Sequence, residues 1–152
     1  MRYYRARLLL RFHHLTPKIC RKDMQKITNM EQIRSAGALK AAEEILRARG
    51  NNGDQLSGYH SLIITNGLLA TLAYSADKGG ECLLIAKALL SHLTDLQEKG
   101  RFPGVTLPKN DFMNAILTIS TSTTTAELAM MTDECMAYLN YLKRFVRALN
   151  NR

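Results

Sequence analysis

The sequence has no tryptophan, only three prolines, and few aromatic residues, which make up 7% of its 152 residues. The scarcity of proline removes the main obstacle to long helices. Its periodic segments are dominated by Ala, Leu, Met, Lys, Glu and Arg, which are strong helix formers. No segment carries a convincing strand pattern. We therefore predict an all-α fold, a single compact helical bundle of five to six helices with an apolar central helix.

Cysteine is also scarce, and its spacing excludes two kinds of site. Cys20, Cys82 and Cys135 lie far apart, are odd in number and contain no CxxC pair. This pattern argues against a disulfide framework and against a zinc site. Buried free thiols in a reducing cytoplasm are expected instead. The longest stretch without a charge, between Asp54 and Asp77, is interrupted by polar residues, so no segment is predicted to cross a membrane.

The net charge of +8 is concentrated at one end of the chain. Residues 1–34 contain nine Lys or Arg and only two acidic residues, and so account for nearly all of it. Such asymmetry favours a polyanionic partner, most often nucleic acid. The alternative is a solvated basic arm without a partner. We predict that residues 1–23 form a basic N-terminal extension and that residues 24–152 form the helical bundle domain.

Five segments have helical periodicity. They are residues 17–49, with a break near 28–29 as an alternative, then 57–77, 81–99, 111–119, and a final helix ending near 149. The clear loop is 100–110, "GRFPGVTLPKN", and Thr124 with Glu127 has the spacing of a capping box. The second of these helices is predicted to be the central one. Its Asn66 and Gly67, which are poor helix formers, are interpreted as a point where a neighbouring helix approaches closely.

The final helix separates apolar from basic residues when plotted at 100° per residue. Its apolar side holds Cys135, Tyr138, Leu139, Leu142, Phe145, Val146 and Leu149. Its opposite side holds Lys143, Arg144 and Arg147, without an acidic residue among them. We predict that this basic side contacts RNA phosphates, with tolerance of sequence and sensitivity to salt. The alternative is an ordinary solvated helix face.

Candidate catalytic residues are few. Arg7 with His13 or His14 resembles the Arg-x(4–6)-His pattern of the helical HEPN ribonucleases, in which histidine would move the 2′-hydroxyl proton. Any Arg-rich segment with histidines matches so loose a pattern by chance. His92 could contact Asp95 on one helix without forming a triad. No catalytic residue, metal or cofactor is predicted; a ribonuclease and a protein-only helical adaptor remain alternatives.

Three segments resemble the small subunit of the type III-B CRISPR–Cas (Cmr) RNA-targeting effector complex. They are "EQIRSAGALKAAEEIL" (31–46), "GYHSLIITNGLLATLAYSADKG" (58–79) and "AYLNYLKRFVRAL" (137–149). The matching positions are Arg34, Asn66-Gly67-Leu68 with Leu72 and Tyr74, and Tyr141-Leu142-Lys143-Arg144-Phe145. The resemblance covers residues 24–150, in order and at plausible spacing.

This resemblance implies a non-catalytic structural subunit with a role in antiviral defence. Several copies would stack into a minor filament along the backbone subunits, near the guide and target RNA. The implied partners are those backbone subunits, further copies of the chain, and RNA; no membrane or small-molecule substrate is implied. The residues that we expect to contact RNA are Lys143, Arg144 and Arg147, followed by Arg34 and the cluster Arg21, Lys22 and Lys26.

Overall fold

A computed structural model describes residues 29–49 and 55–151 as an all-helical bundle. Its helices are α1 (Met30–Arg49), α2 (Leu56–Asn66), α3 (Leu68–Lys78), α4 (Gly80–Glu98), α5 (Phe112–Ser122) and α6 (Thr125–Asn150). These two ranges contain no strand, and none of their helices has the length and apolarity needed to cross a bilayer. The predicted fold class is confirmed. The predicted extension, residues 1–23, lies outside the described ranges.

The bundle is organised around α4, which contacts all five other helices. Its apolar stripe, which includes Ile85, Leu89 and Leu93, is completely buried. Each such side chain contributes roughly 1.5–3 kcal/mol on burial. The segment 57–77 was expected at the centre, but α2 and α3 leave Ile64 and Tyr74 exposed. The central helix is therefore α4.

The predicted single helix over 57–77 is wrong, because Gly67 divides it into α2 and α3. The backbone of Gly67 has φ 82° and ψ 165°. This combination of angles is essentially restricted to glycine. The Gly67 N–H still donates to the Ile63 carbonyl at 2.8 Å, and its own carbonyl accepts from the Thr71 hydroxyl at 2.8 Å. A Cβ built on Gly67 meets no atom within 4 Å, so its backbone conformation, and not close helix packing, is the reason for this glycine.

Gly67→Ala is expected to lower the free energy of unfolding by about 1–2 kcal/mol, because alanine is strained at this φ and ψ. Gly58→Ala is the matched control. Gly58 lies inside α2, and a Cβ there also meets nothing within 4 Å. Alanine at this helical position should stabilise the protein by up to about 1 kcal/mol. Urea unfolding of both variants measures the difference, and equal effects would contradict this account of the break.

Two caps fix where α5 and α6 begin. The Asp111 carboxylate accepts from the Asn114 N–H at 3.0 Å. Thr124 and Glu127 form the predicted capping box. The Glu127 N–H donates to Thr124 Oγ1 at 3.2 Å, and the Thr124 N–H donates to Glu127 Oε2 at 2.8 Å. From this start α6 continues without interruption for 26 residues, so its two faces keep one orientation along the whole helix.

Candidate nucleic-acid interface

The apolar side of α6 faces the core as the periodicity predicts. The structure buries Cys135, Tyr138, Leu139, Leu142 and Val146. Because these positions are held inward, the residues half a turn away are directed outward. The outward residues near the C-terminus are Lys143, Arg144 and Arg147, which are named here the α6 basic face. Arg144 and Arg147 are exposed, and Lys143 is partly exposed.

The charges of the α6 basic face have no partner within the described part of the chain. None of the three side chains forms an ion pair or hydrogen bond with any residue of 29–49 or 55–151. Arg147 lies three and four residues after the other two, a spacing that sets Cβ atoms about 5–6 Å apart. Like charges at this spacing repel by a few tenths of a kcal/mol, which the helix C-terminal dipole partly offsets. An external polyanion would relieve the repulsion.

Arg34, also expected to contact RNA, has an internal partner. Its Nε donates to Glu134 Oε1 at 2.8 Å, and its Nη2 donates to Glu134 Oε2 at 2.6 Å. This bidentate geometry is the strong form of an arginine–carboxylate pair. The hydrogen bond from Arg34 to Glu134 raises the pKa of the guanidinium, and the Arg34 side chain is only 23% exposed. The pair joins α1 to α6.

Glu134 has a second partner on α4. His92 Nε2 lies 2.8 Å from Glu134 Oε1. Burial alone would raise the pKa of Glu134, but the hydrogen bonds from Arg34 and His92 prevail and lower it to about 2. The ionised carboxylate only accepts, so His92 Nε2 carries the proton and donates it. We name these three residues the Arg34–Glu134–His92 network; it ties together α1, α6 and α4.

The sequence alone does not predict this network. Spacing places His92 within reach of Asp95, three residues along α4, whereas the structure pairs His92 with a residue on another helix. A signal was present: at 100° per residue Glu134 lies at the edge of the apolar stripe of α6. A carboxylate that borders a buried stripe needs a compensating partner. Which residues compensate Glu134 depends on which helices pack against α6, and the sequence alone does not determine that packing.

His60, another histidine of the described ranges, is partly buried and has a backbone partner, since its Nε2 lies 3.2 Å from the Met136 carbonyl oxygen. Predicted residues outside the described ranges are Arg21, Lys22, Lys26, Arg7, His13 and His14. Their roles stay predictions. Within residues 29–49 and 55–151, no three His, Cys, Asp or Glu side chains are arranged to hold a metal ion.

Comparison with known proteins gives one match. The family model described as "CRISPR-associated protein (Cas_Cmr5)" matches residues 30–149. No curated protein and no solved structure matches the chain. The matched range begins at the first residue of α1 and ends one residue before the end of α6. It therefore includes the Arg34–Glu134–His92 network and the α6 basic face.

Proposed function

Since the chain belongs to the Cas_Cmr5 family of CRISPR-associated proteins, we propose that it is the non-catalytic small subunit of a type III-B Cmr effector complex. The family match confirms the resemblance carried by residues 31–46, 58–79 and 137–149. In this proposal the chain serves antiviral defence as a structural subunit beside the guide and target RNA. Its compartment is the cytoplasm, a proposal supported by the buried free thiols of Cys82 and Cys135.

The proposed RNA contact is made by the α6 basic face. The observation that carries it is the charge of Lys143, Arg144 and Arg147, which no described carboxylate neutralises. Lysine and arginine bind phosphate oxygens irrespective of base sequence. Arg34 is left out of the proposed contact set, because Glu134 already accepts from its Nε and Nη2. The contact therefore neutralises backbone charge and does not read bases.

Single-stranded RNA binding by the wild-type protein should depend steeply on salt. Three phosphate contacts predict that log K falls with log salt with a slope of about −2. Poly(U) and poly(A) should bind with similar affinity, because phosphate contacts carry no sequence information. Fluorescence anisotropy at several salt concentrations measures both quantities. A strong preference for one polymer would contradict phosphate recognition, and no binding at low salt would favour the protein-only adaptor.

Stacking of copies and docking on backbone subunits form the second part of the proposal. Large apolar side chains on the surface support it. Met113 and Leu117, one turn apart on α5, are 61% and 57% exposed. We name this pair the α5 apolar ridge. Exposed apolar side chains that adjoin on one helix face are typical of protein contact surfaces.

Met113→Glu/Leu117→Glu is expected to weaken protein association without unfolding the bundle. The ridge side chains are already largely solvated, so the free energy of unfolding should change by less than about 1 kcal/mol. Light scattering across a concentration series and co-purification with a backbone subunit measure association. The matched control Gln32→Glu/Ala36→Glu adds the same charge on the exposed side of α1. If both double variants associate like the wild type, the ridge is not a contact surface.

A further inference from the structure

Residues 112–126, which form α5 and the start of α6, contain no charged residue. They lie between Asp111 and Glu127, in a chain in which 22% of the residues are charged. The outward side of α5 carries the α5 apolar ridge and then, one turn further on, Ser120 and Thr121, which are exposed. At 100° per residue these positions share one side of the helix. α5 therefore exposes a side that carries no charge along its length.

The uncharged side of α5 continues onto α3. These two helices contact each other and both pack on α4, so they lie side by side and turn their outward sides the same way. The outward residues of α3 include Ala70, Ala73 and Tyr74, which are exposed and uncharged. Charge returns with Asp77 and Lys78 at the end of α3. We name as the α3–α5 uncharged surface the exposed residues Ala70, Ala73, Tyr74, Met113, Leu117, Ser120 and Thr121.

The two hydroxyl groups of this surface can be covered at low cost. Ser120 Oγ donates to the Ile116 carbonyl at 2.8 Å, and Thr121 Oγ1 donates to the Leu117 carbonyl at 2.9 Å. Both hydroxyl protons therefore have acceptors within α5 itself. A buried O–H without an acceptor costs about 1–3 kcal/mol, and covering Ser120 and Thr121 avoids that cost. The surface can therefore be buried much as an apolar one can.

The charge of the chain indicates which partner this surface suits. With a net charge of +8, two copies repel each other, and the repulsion is least where their contact contains no charge. The α6 basic face would place like charges together in a contact with itself. The α3–α5 uncharged surface would not, and a charged partner would find no opposite charge on it. These properties favour a second copy of the chain over a charged partner.

We infer that the α3–α5 uncharged surface contacts the same surface of a second copy across a two-fold axis near Leu117. In such a contact the two copies use identical residues, so α5 lies antiparallel to α5 of the second copy. Leu117 then packs against its own counterpart. Met113, four residues before it, packs against Thr121 of the second copy, four residues after it. This two-fold contact presupposes the contact role proposed above for the α5 apolar ridge.

The expected dimer is weak and closed. Because α3 and α5 have 11 residues each, each is about 16 Å long. Helices packed side by side lie about 8–10 Å apart. A surface of two such helices is smaller than the roughly 800 Å² per partner that stable interfaces bury. We therefore expect a dissociation constant between about 10 μM and about 1 mM. A two-fold contact also closes at two copies, so it describes the free protein and not a filament.

Charge-swap variants of Leu117 test the two-fold axis directly. Leu117→Lys and Leu117→Glu each place two like charges at the axis, so each variant alone should associate at least about tenfold more weakly than the wild type. An equimolar mixture should recover association, because the axis then pairs lysine with glutamate. Both variants should fold, since the Leu117 side chain is exposed. Sedimentation equilibrium at concentrations up to about 1 mM gives the dissociation constants.

The matched controls are Ala36→Lys and Ala36→Glu, on the exposed side of α1. They should associate like the wild type, alone or mixed. A wild-type protein that is monomeric at about 1 mM would overturn the inference, as would a mixture of the Leu117 variants no stronger than either alone. If the wild type is monomeric and Leu117→Glu loses co-purification with a backbone subunit, another subunit covers this surface. The two-fold contact is then wrong, while the proposed function stands.

Salt separates this contact from RNA binding. Raising salt from about 0.1 M to about 1 M shortens the Debye length from about 10 Å to about 3 Å, which screens the repulsion between two copies. Self-association of the wild type should therefore strengthen with salt, whereas RNA binding by the α6 basic face should weaken. Self-association that weakens with salt would show that charged groups make the contact, and would overturn the inference.

Discussion

Glu134→Ala is expected to lower the free energy of unfolding by about 3 kcal/mol, the largest effect of any single substitution considered. Removing one member of a buried ion pair costs about 3–5 kcal/mol, because the remaining charge loses its partner. We expect the lower end of this range because the Arg34 side chain is 23% exposed, so water can partly solvate its charge. The His92 side chain is only 1% exposed, so water cannot replace the Glu134 carboxylate as the acceptor for its Nε2–H.

Asp133→Ala is the matched control, because Asp133 precedes Glu134 on α6 but is exposed. Its free energy of unfolding should change by less than about 0.5 kcal/mol. Urea is the appropriate denaturant, since it does not screen ion pairs. Equal stability of Glu134→Ala and Asp133→Ala would show that the Arg34–Glu134–His92 network does not join the three helices energetically.

The Glu134 carboxylate also makes the free energy of unfolding depend on pH, and its lowered pKa fixes the sign of that dependence. The pKa of Glu134 falls from its ordinary 4.5 to about 2 in the folded protein, so the unfolded chain binds the proton more readily. Its contribution is therefore fully present above pH 4.5 and is lost as the pH falls towards 2. Glu134→Gln removes this contribution. The difference in free energy of unfolding between wild type and Glu134→Gln, measured in urea, should be smaller at pH 3 than at pH 7. A constant difference would show that an ionised Glu134 carboxylate does not stabilise the fold.

The faces of α6 could be predicted from sequence because they depend on local geometry alone. With 3.6 residues per turn, spacing fixes which side chains lie together. Tyr138, Leu142 and Val146 are buried as expected. The capping box at Thr124 and the loop over residues 100–110 are local for the same reason. Periodicity and turn chemistry suffice for such features.

The break at Gly67 could not be predicted in the same way. A glycine in an apolar segment fits either close helix packing or a backbone conformation with positive φ, and only the fold distinguishes them. The pairing of Arg34 with Glu134 could not be predicted from the sequence for another reason. These residues are 100 positions apart, and their contact depends on how α1 meets α6. Long-range packing determines both features.

Lys143→Glu/Arg144→Glu/Arg147→Glu is expected to lower affinity for single-stranded RNA by at least about hundredfold. Each lost contact between a cation and a phosphate costs about 1.5–3 kcal/mol, and three are lost together. Folding should be retained, since these side chains have no described partner to lose. Acidic residues near a helix C-terminus cost only a few tenths of a kcal/mol each. Circular dichroism and urea unfolding check the fold of this variant.

The most direct measurement compares two triple variants that remove the same charge. Lys143→Gln/Arg144→Gln/Arg147→Gln neutralises the α6 basic face, and Lys78→Gln/Lys87→Gln/Arg101→Gln neutralises three exposed cations elsewhere. Fluorescence anisotropy with one labelled RNA, at several salt concentrations, gives affinity and salt slope for both. The first variant should bind weakly, with a slope shallower by about 2, while the second stays close to the wild type. Equal loss in both variants, or none in the first, would contradict RNA contact through the α6 basic face.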